Sequence, residues 1–262
     1  MTAHIFVPET APEAKIAQLC VYGARVFLVK ANYDKTYDLC QEAVARFGWY
    51  NRSAAVNPYL VEGKKTCGHE IAEQLSTNEM PDWVAMSVGD GCSIAGCWKG
   101  IKEMRRLGII DRLPKMLAVQ AEGAAPLHRA FESRSESVVR MENASTIADS
   151  INVGMPRNPV KALRAVRESD GVFVTASDHA ILAAIPMVAR LTGVFAEPTA
   201  VAAVAGVEAA RAKGIVRADE SVLSVLTGNG LKDVKTAMKA TVAPRPIEPN
   251  LGDVERALGT NA

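Results

Sequence analysis

Cysteine is scarce in this 262-residue chain, with five in all, at Cys20, Cys40, Cys67, Cys92 and Cys97, and no C-x-x-C pair among them. An odd, scattered set supplies neither a disulfide framework nor a zinc site, and it fits a reducing cytoplasm. An excess of one charge sign is missing too. The net formal charge is +1, which gives no electrostatic reason to expect nucleic acid or an anionic membrane as a partner. The opening MTAHIFVPETAPEAK lacks the basic and then apolar order of a secretory leader, and no apolar run reaches bilayer-spanning length. His4, His69, His128 and His179 show no H-E-x-x-H or other ligand spacing, so they read as surface or satisfied core residues and no metal is expected.

What the chain does have is an ordinary globular balance, with 48% hydrophobic and 23% charged residues, enough for a substantial core. Short apolar runs alternate with amphipathic segments. AHIFVP, RVFLVK, WVAMSV, KMLAVQ, GVFVTAS and SVLSVLTG read as strands. Between them lie helices expected near Pro12 to Val21, capped by Thr10 and stopped by Gly23, then Asp34 to Phe47, Glu62 to Leu75, and onward from Ser93. The helix from Asp34 should bury Tyr37, Cys40, Val44 and Phe47, and the one from Ser93 should bury Ile94, Cys97, Trp98, Ile101 and Met104. Pro186 should kink or end its helix. This βαβα rhythm predicts an α/β protein with a doubly wound, mainly parallel sheet in three αβα layers. Irregular sequence at YNRSAAVNPYLVEG suggests a crossover, dividing the chain into a partial small α/β domain over 1–58, a large α/β domain over 59–240 and a C-terminal arm over 241–262.

Ligands of such sheets collect beyond the carboxyl ends of strands. There, VGDGCSIAGCWKG (Val88 to Gly100) places Gly89 and Gly91 ahead of a helix whose free N–H groups and dipole suit a phosphate. The third glycine of a dinucleotide fingerprint is replaced by Ile94 and the Gly-Lys-Ser/Thr of a P-loop is missing, so neither NAD nor ATP is supported. A plain connecting turn is the alternative. Asp90 favours that alternative, since a carboxylate inside an anion cradle is repulsive unless it turns away to cap the helix. Cys92 can also be read as a nucleophile at a helix N-terminus. A second turn, LTGNGLKD, ends a strand at Thr227 and aims a hydroxyl into the same crevice. Glu122 follows a strand directly and could reach the crevice, although a helix-start carboxylate is the commoner explanation. Lys64, Lys65 and Lys99 read as solvated helix faces.

Together NPYLVEGKKT (Asn57 to Thr66), VGDGCSIAGCWKG, GIIDRLPKMLAVQAEGAAPL, KALRAVRESDG, EPTAVAAVAG and LTGNGLKD resemble the β-family (fold type II, tryptophan synthase β-like) of pyridoxal-phosphate enzymes. Within it they are closest to the threonine synthases. The resemblance covers about residues 3 to 235. It implies pyridoxal phosphate as cofactor, its phosphate resting on Gly89, Asp90, Gly91, Cys92 and Ser93 and its ring nitrogen facing Thr227. Asn57 and Glu122 would stand on the substrate side. The implied reaction converts O-phosphohomoserine to threonine and phosphate by elimination and replacement. A sister dehydratase, ammonia-lyase or cysteine synthase, and a non-catalytic assembly partner, are the alternatives. The implied partners are a small amino-acid substrate, phosphorylated in the leading reading, and a second copy of the chain in a homodimer. The family's Schiff-base lysine lies in a segment that precedes the matched part, and no lysine here matches it. The resemblance therefore implies a truncated chain that turns over little alone.

Overall fold

The computed structural model describes residues 2–75 and 80–259. The chain first builds a small parallel pair, in which β1 (His4–Pro8) and β2 (Arg25–Val29) are joined by α1 (Glu13–Val21). The cap of α1 is Pro12 with no side-chain hydrogen bond, rather than Thr10. Proline's fixed φ already sets the entry to the helix, and Thr10 lies too early to reach its free N–H groups. Next comes α2 (Tyr33–Phe47), capped by Asn32 and closed by Gly48 in the left-handed conformation. Its expected apolar face is only half-buried, and Phe47 is 62% exposed. The residues it buries are Asp34 and Thr36, because this helix turns a polar edge toward the loop that carries Met155 and Arg157.

The single helix expected over Glu62 to Leu75 is two: α3 (Pro58–Gly63), capped by the Asn57 side chain, and α4 (Thr66–Leu75), with Lys64 and Lys65 at the break. Then β3 (Trp83–Ser87), α5 (Cys92–Arg106), β4 (Lys115–Ala121), α6 (Pro126–Glu132), α7 (Pro159–Glu168), β5 (Val172–Ala176), α8 (Asp178–Thr192), α9 (Pro198–Ala212) and β6 (Val222–Ser224) follow. The four strands pair in parallel, in the order β5-β4-β3-β6.

Period-two alternation sorts their side chains between two cores. Val84, Met86, Met116 and Ala118 pack with Ile94, Trp98, Ile101 and Leu163 of α5 and α7. Trp83, Ala85, Leu117 and Val119 pack with Ile181, Ile185, Val201 and Ala205 of α8 and α9. The sheet is thus the middle of three layers. α8 runs unbroken through Pro186, although an interior proline costs roughly 3 kcal/mol. Ile181, Ala184, Ile185 and Val188 bury on both sides of it, and that continuous apolar contact holds the two halves in one helix.

From β3 the chain advances to β4 and β5 with α5 and α7 on one face, then returns across the other through α8 and α9 to set β6 beside β3. Right-handed crossovers require the change of face when the direction reverses. The carboxyl end of β3 is therefore where the strand order turns, and the crevice opens there. Beyond β6 come α10 (Val234–Lys239), a stretch over 242–250 without regular structure, and α11 (Leu251–Leu258). No helix among the described residues is long and apolar enough to cross a membrane.

Candidate active site

After Ser87 the chain turns through Val88 to Gly91 into α5, which begins at Cys92 and Ser93. Gly91 has φ +88°, and a Cβ there would stand 2.6 Å from Ala162 Cβ and 3.0 Å from Asn158 O. Only glycine meets both demands. Gly89 is nearly as confined, since its Cβ would sit 3.1 Å from Ile151 Cα and Ser150 O. Among the described residues no side chain caps α5, so its first N–H groups and the positive end of its dipole are left for a ligand. A cavity of about 230 Å³ lies at that terminus, lined by Gly89 to Ser93 with Ser87, Lys64, Ser150, Thr199 and Thr227. Ser87 Oγ is buried in this lining without a hydrogen-bond partner among the described residues. A buried hydroxyl left unpaired costs free energy that a polar ligand would recover.

Asp90 does turn away from the cradle, although not to cap α5. Its Oδ2 accepts from Tyr33 Oη at 2.7 Å and its Oδ1 from the Arg157 N–H at 3.1 Å. Burial pushes this carboxyl above the usual range, while the bonds from Tyr33 and Arg157 pull the other way without cancelling it. The Cys92 thiol is also pushed up, by burial first and the neighbouring Asp90 charge second. Asn158 Nδ2 donates to its sulfur at 2.9 Å. A thiol kept protonated and occupied in this way is a poor nucleophile, so Cys92 acts here as part of the loop.

The other residues singled out from sequence divide. Thr227 lines the cavity from the connection beyond β6, three residues past the strand end rather than on it. Asn57 is buried and committed to structure: its Oδ1 accepts from Tyr59 N, and its Nδ2 donates to Tyr50 Oη and Asn51 O. Glu122 is exposed in the turn after β4 and is not part of the cavity lining. Lys65 and Lys99 pair with Glu103 and Glu62 on the outer surface. Lys64, read from sequence as solvated, instead reaches into the cavity with Nζ 3.4 Å from Ser93 Oγ. Lys15 of α1 approaches from the other side, held by Asp149, Ser150 and Glu197. Lys64 between α3 and α4, Ser87 at the end of β3 and Thr199 in the first turn of α9 were missed because periodicity says which face of an element is apolar, not which element ends converge on one cavity.

Residues 1–228 match the family described as pyridoxal-phosphate dependent enzyme. The chain belongs to the pyridoxal-phosphate dependent enzyme family. It is similar to the threonine synthase of Methanocaldococcus jannaschii, 38% identical over 93% of this chain and 60% of that protein. It is also similar to the threonine synthase of Mycobacterium tuberculosis, 39% identical over 95% of this chain and 67% of that protein. The chain thus spans about 60% of the length of the first of these relatives. Among solved structures, threonine deaminase isoform 2 from Solanum lycopersicum aligns with a TM-score of 0.74 at 24% identity, over 92% of this chain and 66% of that one. A fungal L-serine ammonia-lyase from Rhizomucor miehei aligns with a TM-score of 0.74 at 19% identity, over 92% and 74%. These structural likenesses bear out the type II fold expected from the sequence.

The cofactor of the pyridoxal-phosphate family fits what this chain presents. Its phosphate needs N–H donors and a positive dipole, which the open end of α5 has, and the unpaired Ser87 hydroxyl offers one polar atom more. Among the described residues lining the cavity, Asp90 is the one carboxylate opposed to it. We expect Asp90→Asn, which keeps the shape and removes the charge, to tighten pyridoxal phosphate binding about tenfold, or ~1.4 kcal/mol, in an absorbance titration at pH 7. It should also alter the pH profile of unfolding. A carboxyl whose folded pKa is raised contributes stability below its unfolded value and loses it as pH climbs through the folded value. The melting temperature of the Asn variant should therefore gain on wild type as pH rises above the ordinary carboxylate range, then run parallel.

Proposed function

We propose that this chain is a threonine synthase-like carbon–oxygen lyase, acting on O-phosphohomoserine to give threonine and phosphate. The observation that carries the reading is the 38% to 39% identity to threonine synthases across nearly the whole chain. Pyridoxal phosphate, when bound, supplies the electron sink that such an elimination and replacement needs. The chain's own part is to bind and orient. The N–H groups from Gly89 to Ser93 receive the phosphate, and Thr227 faces the ring nitrogen. A neutral hydroxyl there does not hold that nitrogen protonated as a carboxylate would, which keeps the sink moderate and suits departure of a group from the β or γ carbon. Residues 1–58 form a partial small domain beside a large one over 59–240, with 241–262 as an arm, and the assembly is a homodimer. The base that moves protons at the substrate carbons is assigned to no residue of this chain.

The test supplies pyridoxal phosphate with O-phosphohomoserine, and separately with threonine and serine. Threonine and phosphate formed in equal amounts, however slowly, support the proposal. Ammonia and a 2-oxo acid from threonine or serine, with O-phosphohomoserine untouched, would favour a sister dehydratase or ammonia-lyase. Tight cofactor binding with no turnover of any of the three would favour the non-catalytic reading.

A further inference from the structure

The cavity contains a cation that the fold takes trouble to place. α5 carries Gly96 one turn beyond the cradle, where a Cβ would stand 2.6 Å from Lys64 Cβ and 3.0 Å from its carbonyl carbon. The missing side chain lets the α3–α4 break lie directly on α5. From there the Lys64 side chain runs toward the start of that helix, ending 3.4 Å from Ser93 Oγ. Glu62, two residues away, is taken up by Lys65 and Lys99, and Glu103 by Lys65 and His69. Among the described residues Lys64 makes no ion pair of its own. Across the same small cavity stands the buried, unpaired Ser87 hydroxyl, so two polar groups with unmet capacity converge on one space.

We propose that Lys64 is the counterion of the bound phosphate in this cradle, and that it offsets the charge of Asp90. The inference rests on the cofactor reading for the identity of the ligand, but the chemistry recognised is that of a phosphate dianion. A helix terminus contributes roughly half a positive charge. That is little against a dianion with a carboxylate behind the loop. An ammonium beside Ser93 restores the balance and adds a charge-assisted hydrogen bond. Because Nζ stands at the cradle itself, its partner is the phosphate and not the aldehyde of the cofactor.

The experiment compares wild type, Lys64→Gln and Lys64→Arg, each checked for folding by circular dichroism, in titrations with pyridoxal phosphate, with pyridoxal and with inorganic phosphate. Lys64→Gln should weaken pyridoxal phosphate and inorganic phosphate by about 10- to 100-fold, leave pyridoxal unchanged, and Lys64→Arg should restore most of the loss. Borohydride reduction followed by peptide mapping should find no pyridoxyl group on Lys64. An unchanged affinity for both phosphates, an equal loss for pyridoxal, or an adduct on Lys64 would overturn the proposal. Inorganic phosphate separates the two readings. Binding of phosphate that depends on Lys64, without binding of pyridoxal phosphate, removes the cofactor reading and keeps this one; absence of any Lys64-dependent phosphate binding removes this one.

Discussion

Gly91→Ala is expected to lower pyridoxal phosphate affinity at least 100-fold and to destabilise the fold by about 2 to 3 kcal/mol. Two separate costs add at this position. The left-handed backbone of Gly91, with φ +88°, costs an L-residue roughly 1 to 2 kcal/mol. The new methyl then meets Ala162 Cβ at 2.6 Å and Asn158 O at 3.0 Å, both belonging to the start of α7, which is itself anchored in the core through Ala162 and Leu163. The loop, not the helix, has to give. When it does, the N–H groups that define the cradle lose their common focus, so binding suffers as well as stability. Gly108→Ala is the control, because Gly108 also has positive φ (+73°) but nothing lies within 4 Å of its Cβ position. It should cost about 1 kcal/mol and leave binding intact. Equal effects of the two alanines on binding would show that strain alone, not the contact with α7, governs the cradle.

Arg157→Met is expected to cost about 3 to 5 kcal/mol in urea unfolding, a large part of the stability of an ordinary domain. The guanidinium of Arg157 lies 3.0 Å from Asp34 Oδ1 with both side chains nearly out of solvent, at 12% and 6% exposure, and stacks 4.0 Å over the Tyr37 ring. Removing it strands a buried carboxylate whose remaining bond among the described residues is the Met155 N–H at 3.3 Å. Adding Asp34→Asn to Arg157→Met should recover part of the loss, since the uncompensated charge then disappears, and a double-mutant cycle measures that recovery. An additive double mutant would mean that packing on Tyr37, not the ion pair, is what Arg157 contributes. The consequence reaches the site. Arg157 N donates to Asp90 Oδ1 and Asn158 N to Asp90 O, so the segment that grips α2 also holds the turn after β3 in place.

Most of the frame was legible because its signals are local. All six strands lie where short apolar runs place them, and the buried face of α5 is the one its spacing predicts. Gly89 and Gly91 marked the cradle since a sharp turn before a helix needs them. The misreadings share a cause. Thr10, the unbroken helix over 62–75 and an end of the helix at Pro186 were judged from local propensity, which yields to packing on neighbouring elements. Phe47 stays exposed and Asp34 is buried because α2 meets a polar loop more than a hundred residues distant, and no pattern within the helix encodes that neighbour.

By itself, the sequence determined an α/β protein with a parallel sheet, a glycine turn between β3 and the helix that follows it, and the family to which the chain belongs, since each follows from short-range pattern or motif order. Only the tertiary structure decided which charges meet at that turn. It swings Asp90 out toward Tyr33 and Arg157, brings Lys64 in across Gly96, and leaves Ser87 in the cavity lining with no hydrogen-bond partner for its hydroxyl among the described residues. Such encounters depend on where the crossovers bring distant segments together, and electrostatic energy depends on those distances and on burial, neither of which spacing along the chain contains.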